Sequence, residues 1–97
     1  MAKIEVRRYP GTNSIKEEYT INDKGERHGI AKEYYRNGNL EFIITYKNGI
    51  IHGLVKGYHE NGKLRTESNF INGEEERGST KMYDEKGHRV DVYGRPI

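Results

Sequence analysis

The stretch YYRNGNLEFIITYKNGIIHG, residues 34–53, decides the fold, because it contains two Asn-Gly pairs separated by aromatic and branched side chains. Asn-Gly suits a type I′ turn, in which both central residues need a positive φ, and such turns close two-residue β-hairpin loops. The segments between the glycines are too short to form stable helices. Asn37-Gly38 and Asn48-Gly49 therefore predict chain reversals between antiparallel strands.

A two-residue loop fixes which residues oppose each other across a hairpin. The loop at Asn37-Gly38 predicts four pairs: Tyr35 with Leu40, Glu33 with Phe42, Ala31 with Ile44, and Gly29 with Tyr46. The next hairpin, around Asn61-Gly62, sets Gly53 opposite Phe70. In both hairpins a glycine opposes an aromatic ring, which can fold over the bare backbone. A two-residue loop at Asn48-Gly49 sets Glu41 opposite Lys56, which in turn opposes Glu67.

This register divides the side chains between two faces of a sheet. One face carries charges of alternating sign. The other is predicted to hold Leu40, Phe42, Ile44, Tyr46, Val55, Leu64, Phe70 and Met82. Tyr34 and Tyr58 fall on the side opposite Tyr46 and Phe70, so the aromatic rings form rows on both faces.

The pattern repeats along most of the chain with a period of about 24 residues. Three segments begin at Gly29, Gly53 and Gly78, and they share a lysine slot, a tyrosine slot and a second glycine slot. We predict one repeat domain over residues 1–97. It consists of a degenerate repeat at about 9–28, full repeats at 29–52 and 53–77, and a partial repeat at 78–94.

The composition limits both the fold and the function. Of the 97 residues, 33% are charged and 32% hydrophobic, so the chain cannot enclose a thick core, and a thin sheet is expected. The absence of cysteine excludes disulfides and thiolate metal sites. Seventeen basic and fifteen acidic residues are evenly mixed, unlike a nucleic-acid-binding stripe. Neither a signal peptide nor a membrane span is recognisable, so a cytoplasmic location is expected.

These residues resemble the MORN repeat family, and more narrowly the bacterial variant seen in YwqK-like antitoxin proteins. The shared pattern is G-x-x-K-x-Y-Y-x-N-G-x-L followed by Y-x-N-G, and it runs from Gly29 to Gly53 and from Gly53 to Gly78. The resemblance implies an all-β, solenoid-like single-layer antiparallel meander of β-hairpin repeats, twisted or curled. It also implies binding or scaffolding rather than catalysis. His59 and Asp84 depart from the pattern at the second tyrosine.

No residue pattern predicts an enzyme or a cofactor site. His28 and His52 occupy equivalent slots, but two strands separate them by about 10 Å, too far to share a zinc ion, so solvated turn histidines are expected. Ser14, Ser68 and Ser79 lack a nucleophile-elbow context. No glycine motif precedes a helical segment, so no phosphate loop is expected. We therefore predict a non-enzymatic protein without metal or cofactor.

The predicted function is binding through a sheet face. One face of such a sheet measures on the order of 900 Å², whereas soluble monomers seldom expose apolar patches beyond about 600 Å². We expect a protein partner or self-association to cover the apolar face. The candidate interaction residues are Tyr34, Phe42, Tyr46, Tyr58, Phe70 and Tyr83. The alternative is binding to anionic phospholipid surfaces through Lys32, Lys56 and Lys81, and nucleic acid is not expected.

Overall fold

The computed structural model describes residues 2–97, which form one open antiparallel sheet. Its strands are β1 (Lys3–Arg8), β2 (Ile15–Ile21), β3 (Arg27–Tyr34), β4 (Leu40–Lys47), β5 (Ile50–Tyr58), β6 (Leu64–Ile71), β7 (Glu74–Glu75), β8 (Lys81–Tyr83) and β9 (Arg89–Val90). The order across the sheet is β1-β2-β3-β4-β5-β6-β8-β9, and β7 pairs with the end of β6. The molecule measures 45 × 34 × 14 Å, which leaves room for a single layer. The predicted all-β hairpin meander is confirmed.

Two turns have the two-residue form, which the sequence predicted at Asn48-Gly49. Asn48 and Gly49 have φ angles of 48° and 84°, and Asn72 and Gly73 have 48° and 85°. Positive φ at both central residues is the mark of the type I′ turn, and Asn-Gly tolerates it at low cost. Beside the first turn, Lys47 pairs with Ile50 as that turn requires. The prediction at Asn48-Gly49 is confirmed.

The other two Asn-Gly pairs form a different turn, and the predicted two-residue loop is wrong there. Gly38 N–H donates to Tyr35 O at 3.0 Å, and Tyr35 N–H donates to Asn39 O at 2.8 Å, so the loop contains residues 36–38. Gly38 alone in this loop has a positive φ, because the Asn37 side-chain oxygen accepts the Asn39 N–H at 2.8 Å and Asn37 keeps a negative φ. The loop at Asn61-Gly62 repeats this geometry.

The three-residue loop inserts a bulge at Glu41 in β4. The predicted pairs Glu33–Phe42, Ala31–Ile44 and Gly29–Tyr46 are confirmed, but Leu40 opposes Tyr34 and not Tyr35. The next hairpin behaves alike, with Gly53 opposite Phe70 as predicted and Leu64 opposite Tyr58. Because a one-residue shift moves a side chain to the other face, Leu40 and Leu64 leave the predicted apolar face.

A second bulge lies in β5 at Gly53, whose φ is 113°. It shifts the register after the Asn48-Gly49 turn, so Ile43 opposes Lys56 and the predicted Glu41–Lys56 pair is wrong. The Lys56–Glu67 pair is confirmed. A Cβ added at Gly53 would first meet the Thr45 methyl carbon, at 3.2 Å. At Gly29, the equivalent bulge glycine, a Cβ would meet nothing within 4 Å.

Side-chain hydrogen bonds join each unit to the next at one end of the sheet. The Tyr9 hydroxyl donates to Tyr34 O, and the Tyr35 hydroxyl donates to Tyr58 O, both at 2.6 Å. His59 makes the corresponding bond, with Nε2 lying 2.9 Å from the carbonyl oxygen of Tyr83. The departure of His59 from the repeat pattern therefore preserves the link between units.

The sheet has almost no core. Among the described residues, the buried hydrophobic side chains are Ala31, 2% exposed, and Val90, 8% exposed. The accessible surface is 6823 Å², whereas a compact globular protein of 11.3 kDa exposes roughly 5,700 Å². Cross-strand pairs therefore stabilise this fold, and both faces of the sheet remain accessible.

Candidate functional site: the two faces of the sheet

The three candidate lysines and three of the candidate aromatic residues share one face, which we term the lysine face. It holds Lys32, Lys56, Lys81, Tyr34, Tyr58 and Tyr83. The pairing from strand to strand places Glu18 opposite Lys32, and Glu67 between Lys56 and Lys81. The Lys56 ammonium lies 3.7 Å from the Glu67 carboxylate. The lysine face is therefore mixed in charge.

Tyr34 is half-buried and hydrogen-bonded within this face. Its hydroxyl donates to a Glu18 carboxylate oxygen at 2.5 Å. This hydrogen bond, with smaller effects of partial burial and of the carboxylate charge, raises the pKa of Tyr34 to about 12. Glu18 thus fixes the ring of Tyr34, which contributes to the fold as well as to the surface.

Several exposed apolar side chains of the lysine face are not among the predicted interaction residues. Ile4 is 70% exposed, Ile30 56% and Leu54 49%. Ile30 and Leu54 directly follow the bulge glycines, so they occupy the same slot in successive repeats. The recurring dipeptides Gly29-Ile30 and Gly53-Leu54 are the sequence pattern that marks these exposed residues. The pattern indicates exposure only once the bulges at the two glycines are known, and the predicted register contains no bulges.

A shallow depression lies between Ile4 and Ile30 on the lysine face. Its volume is about 320 Å³, and it is lined by Ile4, Thr20 and Ile30 with Glu18 and Lys32 at one side. An apolar floor beside one acidic and one basic group suits a side chain of another protein, since such sites combine apolar burial with a few polar contacts.

The other three candidate aromatic residues lie on the opposite face, which we term the phenylalanine face. It holds Phe42, Tyr46 and Phe70, all half-buried. Phe42 opposes Gly57, and its ring would lie 3.1 Å from a Cβ at that position. An aromatic ring thus packs against a strand glycine at Gly57, a contact that the sequence did not predict.

Cations pack on the rings of this face and limit their accessibility. The Arg27 guanidinium lies 3.9 Å from the centre of the Tyr19 ring and 5.6 Å from that of Tyr46. The Arg65 guanidinium lies 5.5 Å from the centre of Phe42. Such cation–π contacts contribute about 0.5–1 kcal/mol each at exposed sites. The structure thus separates the six candidate aromatic residues into two sets on opposite faces.

Three carboxylates gather beside Phe42 on this face. Partial burial, and then the charges of Glu17 and Glu41, raise the pKa of Glu33 above its ordinary value. Glu17 also lies 3.5 Å from both Arg7 and Arg27, which offset part of the negative charge. A carboxyl group whose ionised form is disfavoured lowers the stability of the fold at neutral pH.

His28 is exposed, in agreement with the expected solvated histidine, but it and His52 lie in strands and not in turns as expected. His28 lies in β3 and His52 in β5. Their Nδ1 atoms accept the backbone N–H groups of Asn48 and Asn72, each at 3.0 Å, so each histidine supports the type I′ turn of the following hairpin. Within residues 2–97, no group of three or more His, Cys, Asp or Glu side chains is arranged to hold a metal ion.

The part of the chain that the structure describes contains no helix suited to crossing a membrane.

Comparison with known proteins gives one family match. A family model described as the MORN repeat variant matches residues 27–48 and again residues 51–72. The first segment covers β3 and β4, the second covers β6 and all of β5 except Ile50, and each ends at the asparagine of a type I′ turn. Comparisons with curated proteins and with solved structures found no match. The two central hairpins of this chain thus match the MORN repeat variant.

Proposed function

We propose that this chain is a non-enzymatic repeat module that binds another protein through the lysine face. The observation that carries the proposal is the exposure of Ile4, Ile30 and Leu54 on a face whose outer surface no other described element covers. MORN repeats are commonly modules that bind proteins or membranes, which agrees with a binding role.

The chemistry of the face defines the kind of partner. The row that crosses the sheet contains Glu18, Lys32, Ile43, Lys56 and Glu67, so its charged groups flank an apolar centre. A protein surface with an apolar anchor and carboxylates placed near Lys32 and Lys56 would complement it. Neutralising a toxin-like protein is one version of this role, and its support is the resemblance of the repeats alone.

Replacing both exposed anchors tests the proposal. The double substitution Ile30→Glu and Leu54→Glu places charges on the lysine face without removing a buried group. Val92→Glu is the matched control, because Val92 is 71% exposed but lies in the C-terminal turn. The unmodified chain should capture a partner in stoichiometric amount, and this complex should persist in high salt. The Val92→Glu control should still capture the partner, whereas the double variant should not. Retention of that partner by the double variant would contradict binding through this face.

The alternative function is association with anionic membranes, favoured by the position of Lys32, Lys56 and Lys81 beside exposed apolar groups on one face. Glu18 and Glu67 lie in the same row and weaken the attraction to anionic lipids, so we prefer the protein partner.

Vesicles of phosphatidylcholine with and without phosphatidylserine separate the two functions. Pelleting that requires phosphatidylserine and disappears in high salt would support the membrane alternative. A protein complex that resists salt would support the lysine face as a protein-binding surface.

A further inference from the structure

We propose that β1 pairs with β1 of a second copy of this chain, joining two sheets edge to edge into one continuous antiparallel sheet. β1 is the first strand in the sheet order, and among the described residues only β2 pairs with it. Such an edge presents unpaired backbone groups that can accept another strand. The proposal concerns the edge of the sheet and is independent of the face used in the proposed function.

The hydrogen bonds at one end of β1 show which backbone groups point outward. Tyr9 N–H donates toward β2, to Ser14 O at 2.9 Å. Because backbone groups alternate in direction along a strand, those of Arg7, Glu5 and Lys3 also point toward β2. The N–H and C=O groups of Ile4, Val6 and Arg8 therefore point away from the sheet and are available to a second strand.

The opposite edge of the sheet is less suited to pairing. Its last strand, β9, contains only Arg89 and Val90, and Val90 forms a further antiparallel bridge with Pro96. A two-residue strand with its own bridge offers little backbone to another chain. β1 has six residues, so it is the edge on which an extended interface can form.

Symmetry and charge select one register for the β1 pair. A two-fold axis perpendicular to the sheet keeps each face continuous, so residues of one face pair with residues of the same face. Setting Glu5 opposite Glu5 of the second copy, or Arg7 opposite Arg7, brings like charges together. Setting Val6 opposite Val6 places each Glu5 opposite Arg7 of the other copy, and each Ile4 opposite Arg8. Of these three registers, only the last matches opposite charges twice. Setting Ile4 opposite Ile4 would also place each Lys3 opposite Glu5, but it overlaps only three residues of β1, whereas the Val6 register overlaps five.

The same register agrees with the direction of the backbone groups. In this register Val6 pairs with Val6, and each Ile4 pairs with Arg8 of the other copy, so all three outward-pointing residues form hydrogen-bonded pairs. Each such pair exchanges two backbone hydrogen bonds, which gives about six in total. The register also covers Ile4 and Val6, which are 70% and 39% exposed in the single chain. The edge charges therefore discourage the two neighbouring registers and favour this one.

Sedimentation velocity on the unmodified 97-residue chain, from about 1 µM to about 1 mM, should show a reversible monomer–dimer equilibrium. Val6→Pro should abolish the dimer, because proline removes an outward N–H but no hydrogen bond to β2. Glu5→Arg and Arg7→Glu should each weaken self-association by about tenfold or more, since each creates two like-charge pairs. An equimolar mixture of these two variants should form a heterodimer, because positions 5 and 7 of one variant then face opposite charges at positions 7 and 5 of the other.

Amide hydrogen exchange on the unmodified chain keeps the proposal testable even if a variant fails to fold. On raising the concentration, the amides of Ile4, Val6 and Arg8 should become protected, whereas those of Glu5 and Arg7 should be protected at every concentration. A chain that stays monomeric throughout the range would overturn the proposal. So would a dimer that survives Val6→Pro, or a mixture of the two charge variants that remains monomeric while both are folded by circular dichroism.

Discussion

Replacing Gly57 with alanine tests the tight contact between the strands on the phenylalanine face. Gly57 is buried in β5, with Thr66 opposite it on β6 and Phe42 opposite it on β4. An added Cβ would lie 2.7 Å from Thr66 Oγ1, 3.1 Å from the Phe42 ring and 3.3 Å from Arg65 Nη2. The first distance is shorter than any van der Waals contact, so Thr66 must rotate or the strands must move apart.

The expected loss of stability follows from two opposing effects. Overpacking of this kind costs about 1–3 kcal/mol. Alanine recovers about 0.5–1 kcal/mol, because it has less backbone freedom than glycine in the unfolded chain. Because the 2.7 Å contact with Thr66 is severe, the overpacking cost should lie in the upper part of its range, about 2–3 kcal/mol. Gly57→Ala should therefore lower the free energy of unfolding by about 1–2.5 kcal/mol. For a domain of this size, each kcal/mol corresponds to a fall of about 4–8 °C in Tm.

A double-mutant cycle with Thr66→Ala identifies the cause. Removing the Thr66 side chain relieves the shortest contact, so Gly57→Ala should cost about 1 kcal/mol less in the Thr66→Ala background than in the unmodified chain. Urea unfolding of the four proteins, followed by circular dichroism, supplies the free energies. A Gly57→Ala protein as stable as the unmodified chain, or a coupling energy within about 0.3 kcal/mol of zero, would refute the packing argument.

Three further substitutions test individual side chains. Tyr34→Phe removes the hydroxyl bound to Glu18, whose hydrogen bond raises the pKa of Tyr34 in the folded state to about 12. After solvent screening this bond stabilises the fold by about 1 kcal/mol below about pH 10, and that stabilisation is lost as the pH rises toward 12. The alkaline decline in the urea midpoint should therefore be smaller in Tyr34→Phe than in the unmodified chain. Glu33→Gln should raise Tm at about pH 7, because burial and neighbouring carboxylates raise the pKa of Glu33 and so penalise its charged form. The gain in Tm should vanish below about pH 4, where residue 33 is neutral in both proteins. Tyr35→Phe should cost about 0.5–1.5 kcal/mol in urea unfolding, because the hydroxyl donates to Tyr58 O across the repeat boundary.

Tyr93→Phe is the matched control for both tyrosine substitutions, because Tyr93 is 80% exposed near the end of the chain. It should leave the urea midpoint unchanged at neutral pH and keep the alkaline decline. An equal effect of Tyr93→Phe and Tyr35→Phe would argue against the link between repeats. For Glu33→Gln, a gain in Tm that persists in acid would contradict an electrostatic origin.

The candidate surface could be predicted only in part. The repeat period placed Lys32, Lys56 and Lys81 in one slot, and the structure sets them on one face. The exposure of Ile30 and Leu54 could not be predicted from residue type, because isoleucine and leucine are usually buried. Their exposure follows from a single-layer sheet that has nothing packed on either face.

The sequence by itself determined the strand order and the repeat. Glycine-marked turns at short intervals permit only neighbouring antiparallel strands, and the Glu33–Phe42 and Gly53–Phe70 pairs follow from them. The tertiary structure alone decided which Asn-Gly pairs form two-residue loops and where the bulges lie. Two copies of the same dipeptide differ because the Asn37 side chain bonds its own loop, whereas the Asn48 backbone N–H is bound by His28 from a neighbouring strand. Such a contact between distant residues sets the register, and the register sets the face on which each side chain lies.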